Sequence, residues 1–217
     1  MSRGILRPEE SLRHFDFRSH DSVPELAWAV ENFWTVDWDL AEPYTAQVLP
    51  WPSVNLTVSN TEADLTGLVR RRYERHLSGR GYAVGARFRP GCFRPYVDFS
   101  VSALTDRHRP TAEVLGRDTD RLREAVGQER DQAARVRLLA AFLVEAQPAP
   151  DPTAIWVAEL VELVAGRRDL TRVGQVADLA QVGVRRLQRL FSDCVGAGPK
   201  WVIQRFPAGR CGPSSGT

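Results

Sequence analysis

Lysine is nearly missing from this chain. Lys200 is the sole one, so arginine supplies almost all of the positive charge. Such a bias also follows from GC-rich coding, so it argues for no arginine chemistry by itself. Long apolar runs are missing too, since nothing approaches the roughly 18 to 20 residues needed to span a bilayer. The opening MSRGILRPEESLRHFDF holds no apolar stretch suited to a secretory signal, so a soluble, cytoplasmic protein with no membrane partner is expected. Cysteine is sparse: Cys92, Cys194 and Cys211 make an odd count with no two at metal-ligand spacing. Neither a disulfide framework nor a zinc site is therefore expected, and the thiols read as reduced. Net charge is nearly absent as well, 29 basic residues standing against 27 acidic ones, which argues against a generic polyanion binder.

What is present is enough to fold. Of 217 residues, 43% are apolar and 26% charged, a composition that excludes wholesale disorder and allows more than one core. The charge is unevenly placed. Residues 1–153 hold 20 basic and 22 acidic side chains, whereas residues 154–217 hold 9 and 5. Within 181–206 the bases Arg185, Arg186, Arg189, Lys200 and Arg205 are opposed by Asp193 alone, so a small basic unit follows a larger, nearly neutral one.

The clearest punctuation is Gln147-Pro148-Ala149-Pro150-Asp151-Pro152, whose prolines block helix continuation and favour a stiff connector. It divides the chain into a domain at 1–147, a linker at 148–153, a helical unit at 154–206 and a disordered tail at 207–217. In the first domain, Ser22 followed by Val23, Leu26, Ala27, Val30 and Phe33 predicts a short capped helix. Trp34, Val36, Trp38 and Leu40 then alternate with Thr35, Asp37 and Asp39. The same two-residue period recurs at Val54, Leu56 and Val58, and at Tyr82, Val84, Ala86 and Phe88. From Thr111 the period becomes helical, predicting two closing helices within 111–146. The fold class expected is α+β: an antiparallel β barrel or sandwich with two closing helices, then a small all-α unit.

The informative segment is LTRVGQVADLAQVGVRRLQRLFSDCVGAGPKWVIQRF, from Leu170 to Phe206. Val173, Val176, Ala177 and Ala180 form the inner face of one short helix, and Val184, Leu187, Leu190 and Phe191 that of a second over 184–194. Gln181-Val182-Gly183 breaks between them, and the small Ala177 permits a close crossing. This is helix-turn-helix spacing. Arg185, Arg186, Gln188 and Arg189 fall away from the apolar stripe, and their guanidinium and amide groups suit base edges and phosphate oxygens in a major groove.

The segment resembles the first helix-turn-helix of the AraC/XylS family of bacterial transcription regulators. Val176-Ala177, Leu179-Ala180, the run Val184 to Phe191 and Gly196-Ala197-Gly198-Pro199-Lys200-Trp201 carry the resemblance. It implies sequence-specific binding of double-stranded operator DNA, with Arg185, Gln188 and Arg189 facing bases and Arg186 and Lys200 nearer the backbone. The first domain resembles the amino-terminal domain of one subgroup through 34–40, 49–56 and 85–95, which implies a cupin-like β-fold that senses a small-molecule effector or forms a homodimer. Metal-binding cupins use clustered histidines, while His14, His20, His76 and His108 are scattered, so neither metal nor cofactor is expected.

Family members usually carry two such units joined by a long helix. Here the joining helix is expected to start near Pro199 and run through Trp201 and Val202 to Phe206, after which Pro207 and a Gly/Pro/Ser tail show no periodicity. The expectation is a regulator truncated by frameshift or early termination, or alternatively a DNA-binding-deficient interaction module. Trp34, Trp38, Trp51, Phe88 and Phe93 are candidates for an effector pocket, with core packing the plainer role. Arg70-Arg71-Arg72, Arg75 and His76 read as a charged loop, and Cys194 as an inert core thiol. Asp37, Asp39 and His14 form no recognisable catalytic pattern, so no enzyme is expected.

Overall fold

The computed structural model describes residues 12–48, 51–70 and 73–206. Arg71, Arg72, Leu49, Pro50, Cys211 and the tail at 207–217 lie outside the described residues. The architecture is α+β, a six-stranded antiparallel sheet followed by seven helices among the described residues. The strands are β1 (Asp16–Asp21), β2 (Val30–Val48), β3 (Asn55–Ser59), β4 (Ala63–Thr66), β5 (Tyr73–Phe88) and β6 (His108–Pro110), in the order β1-β2-β5-β3-β4-β6. The sheet is open. β1 and β6 stand at opposite edges without pairing among the described residues, which corrects the expectation of a barrel or sandwich. An antiparallel sheet packed by helices on one face can leave the other to solvent and has no need to close.

The predicted helix at Ser22–Phe33 is also corrected. Only a 3₁₀ turn forms at Pro24–Leu26, and by Val30 the chain is already in β2, where Val30 pairs with Phe88 and Phe33 with Ala86. Long-range pairing with β5 outweighs a helical preference that spans barely three turns. Past Thr111 there are three helices rather than two: α1 (Thr111–Leu115), α2 (Asp120–Gln128) and α3 (Gln132–Ala146). The break after α1 falls at Gly116, which takes φ +62°, the left-handed conformation that ends helices.

The two-residue period of β2 is as expected, and it is the face carrying Thr35 and Asp37 that turns toward the helices. Thr35 is fully buried under α3, where its hydroxyl donates to Gln132 Oε1 at 3.0 Å, and Asp37 pairs there with Arg135. Trp34, Val36, Trp38 and Leu40 lie on the opposite face, half-buried. Gly85 and Gly81 sit across from Trp34 and Trp38 on β5, and a Cβ at either would collide with the indole ring. The core on the helix side comprises Phe33, Leu56, Val58, Leu65, Val84, Ala86 and Phe88 against Leu122, Val126, Leu139 and Leu143.

Helix α4 (Pro152–Gly166) opens with Pro152 in its first turn and with the Asp151 carboxylate accepting from the Thr153 N–H at 2.7 Å. It serves two cores at once. Ala154 and Ala158 pack into the sheet core, while Val157, Leu160, Val161 and Val164 join a second core with Leu68, Val176, Leu187, Phe191 and Val202. The helical unit therefore sits directly on the sheet domain. No helix among the described residues is long and apolar enough to cross a membrane.

Candidate nucleic-acid interface

Two short helices, α5 (Val173–Leu179) and α6 (Val184–Leu190), are joined by four residues. The loop entering α5 is fixed by Gln175, whose Oε1 accepts from the backbone N–H of Thr171 and Arg172 and whose amide donates to Asp169 O. Val176 and Ala177 are buried beneath α5. The chain then turns sharply: Val182 N–H donates to Ala177 O at 3.0 Å, and Gln181 takes φ +52°, a left-handed conformation that glycine adopts at least cost. Gly183 precedes α6 in an extended conformation with no side chain to cap it.

Helix α6 continues into a wider π turn, Phe191–Val195, closed by Gly196 N–H on Phe191 O at 3.1 Å with Gly196 at φ +87°. Leu187 and Phe191 are fully buried and Cys194 nearly so, anchoring one side of this continuous 184–195 segment. At 100° per residue Arg185 and Arg189 project from the side opposite Leu187, with Gln188 and Arg186 on its two flanks, and all four are exposed. Lys200 is exposed in the first turn of α7 (Pro199–Arg205), which begins at Pro199 as the sequence predicts. Among the described residues no ion pair or hydrogen bond occupies the side chains of these five residues.

Asp193 is the acid that would offset this charge, and it is taken up from below. Arg94, on a 3₁₀ turn of the first domain, donates from Nε to Asp193 Oδ2 at 3.0 Å and from Nη1 to Val97 O at 2.7 Å. Sequence reasoning missed Arg94, because 99 residues separate the partners and no local pattern couples them. Burial pushes the Cys194 thiol up to about 11 and the Cys92 thiol up to about 12, so both are neutral thiols near pH 7.

The other candidate groups are dispersed. Phe88 and Phe93 meet edge to face at 4.9 Å in the sheet core, Trp34 and Trp38 lie on the far face, and Trp51 meets Phe206 at 5.0 Å beside the end of α7. Phe88 and Phe93 are thus buried on the helix side of the sheet, across it from Trp34 and Trp38. An open cleft of about 520 Å3 near the start of β1 includes Trp38 with His14, Asp16, Asp37 and Asp39. His14 stacks on Tyr44, and Asp37 is held by Arg135 and Gln132. Arg75 and His76 lie within β5, bonded to Glu62 and Thr45, rather than in the charged loop expected of them. Arg70 is held by Asp106. No group of three or more His, Cys, Asp or Glu able to hold a metal occurs among the described residues.

Residues 18–110 match the family described as Domain of unknown function (DUF6597). That match covers most of β1, all of β2 to β6 and the Arg94 turn, and it ends before α1. No curated protein and no solved structure matches the chain.

Proposed function

We propose that this protein is a sequence-specific DNA-binding transcription regulator of AraC type, whose helix-turn-helix is formed by α5 and α6 and whose 184–195 segment enters the major groove. The observation that carries the reading is one helical face presenting Arg185 and Arg189, flanked by Gln188 and Arg186, all exposed and unpaired among the described residues, while the opposite face is locked into a core by Leu187 and Phe191. Arginine suits guanine O6/N7 and glutamine suits adenine N6/N7, each good bidentate contact being worth about 1–3 kcal/mol of discrimination. Arg186 and Lys200 serve the phosphates. With about 3 to 5 phosphates neutralised per copy, log Kobs falls with log salt at a slope of about −3 to −5, so a homodimer spanning two half-sites is the effective form. A small-molecule effector acts through the sheet domain, and a cytoplasmic location goes with a DNA target.

The experiment is a gel-shift titration against a promoter-fragment pool at about 50 mM and at physiological salt, with wild type and with Arg185→Ala/Gln188→Ala/Arg189→Ala. Selective binding lost in the triple variant supports the reading, and binding that ignores the triple change ends it. A second reading, an interaction module that pairs without effective DNA binding, is favoured by the half-buried Trp34, Val36, Trp38 and Leu40 on the sheet face opposite the helices. A concentration-dependent dimer with no shift at low salt would support it.

A further inference from the structure

The first domain reaches the far end of the candidate reading helix through three contacts. Arg94 bridges Val97 O and Asp193 Oδ2, Thr105 Oγ1 donates to Gly196 O at 2.6 Å, and Ser100 Oγ lies 3.4 Å from Ser192 O. Two fall on the π turn that ends the 184–195 segment and the third on Gly196, which closes it, and all three donors lie within the stretch matched to the domain of unknown function. Gly196 is itself sealed in, since a Cβ there would collide with Thr105 Oγ1. A π turn can be tolerated where external partners hold the widened backbone, and here those partners come from another part of the chain.

We infer that Arg94 is a positioning residue for DNA recognition: acting through Asp193, it fixes the pitch of the reading helix on the sheet domain, and this grip is one role of the 89–105 segment. The inference rests on the proposed DNA-reading role of α6. Base edges are read by hydrogen bonds whose geometry tolerates little error, whereas phosphate attraction is long-ranged and indifferent to helix pitch. Loosening the grip therefore costs sequence discrimination and spares non-specific binding. The pair also separates geometry from charge. Asp193→Asn removes a negative group from the vicinity of DNA, so a purely electrostatic role for Arg94 would make this variant bind every duplex more tightly.

The test compares wild type, Arg94→Ala, Arg94→Lys and Asp193→Asn in the full chain, binding a duplex selected from a random-sequence pool and a scrambled duplex of the same length. The ratio of the two affinities is expected to fall about tenfold in Arg94→Ala and in Asp193→Asn, with scrambled-duplex affinity held or slightly raised in Asp193→Asn, and to recover partly in Arg94→Lys. An unchanged ratio in both variants overturns the inference. Amide hydrogen exchange on the same proteins needs no DNA: exchange at 191–196 is expected to quicken about tenfold in both variants while α3 amides keep their wild-type rates. Equal protection at 191–196 overturns the grip. Wild type that binds no duplex, with the exchange effect intact, refutes the proposed function and leaves the grip standing.

Discussion

Gln181 occupies the turn between α5 and α6 at φ +52°, and its replacement by glycine measures how firmly that turn is fixed. Holding a residue with a Cβ in the left-handed region costs about 1–2 kcal/mol. Glycine removes that cost but brings back about 0.5–1 kcal/mol through its greater freedom in the unfolded chain. The Gln181 side chain is exposed and makes no hydrogen bond among the described residues, so nothing else is lost. Gln181→Gly is therefore expected to stabilise by about 0.5–1 kcal/mol, a rise in Tm of about 1–4 °C for a chain of this size. Urea unfolding followed by both far-ultraviolet circular dichroism and tryptophan fluorescence supplies the assay, coincident curves licensing the two-state treatment. Gln181→Ala, which keeps the Cβ, should stay within a few tenths of a kcal/mol of wild type. A glycine variant no more stable than the alanine variant would refute the turn geometry and with it the relative placement of α5 and α6.

Leu187→Ala, at a position fully buried in the second core, should cost about 2–5 kcal/mol by urea titration, and an effect under 1 kcal/mol would contradict the inward face assigned to α6. Gly67→Ala and Gly174→Ala should move in opposite directions. At Gly67 a Cβ runs into the Leu104 backbone, so a loss of about 1–3 kcal/mol is expected. At Gly174, inside α5, it meets nothing within 4 Å and a gain of about 0.5–1 kcal/mol is expected. Cys92 and Cys194 should resist alkylation at about pH 8 until urea unfolds the chain, as mapped by mass spectrometry. Because burial raises both thiols, to about 12 and about 11 from 9.0, their share of stability is complete below about pH 9. It declines above that pH as the unfolded thiols ionise first, and a contribution that grew with pH would reverse the assigned cause.

Much of the helical unit was legible because local rules decide it. The inward positions Val176, Ala177, Leu187 and Phe191 follow from a 3.6-residue period, and Pro199 marks the start of α7 by its missing donor. The break between the two helices is visible at Gln181-Val182-Gly183, where Gln181 takes the left-handed position. Strand periods were equally plain, but the side of β2 that turns inward was not. Thr35 is buried and Asp37 half-buried against the helices because Gln132 and Arg135, nearly 100 residues away, provide their partners, and alternation alone is silent about that. For the same reason the proline-rich connector marked a break in the chain without revealing that α4 contributes to two cores. The grip of Arg94 on Asp193 is a tertiary contact with no sequence signature. Closure of a sheet depends on whether its two edges meet, a property of register and curvature rather than of any one strand.

The most direct test of the central claim is the affinity ratio between a selected and a scrambled duplex at physiological salt, measured for wild type and for Arg185→Ala/Gln188→Ala/Arg189→Ala. The account predicts a ratio of about 10³ or more for wild type, collapsing toward 1 in the triple variant as the base contacts disappear. A wild-type ratio near 1, or a ratio that survives the triple substitution, would contradict it.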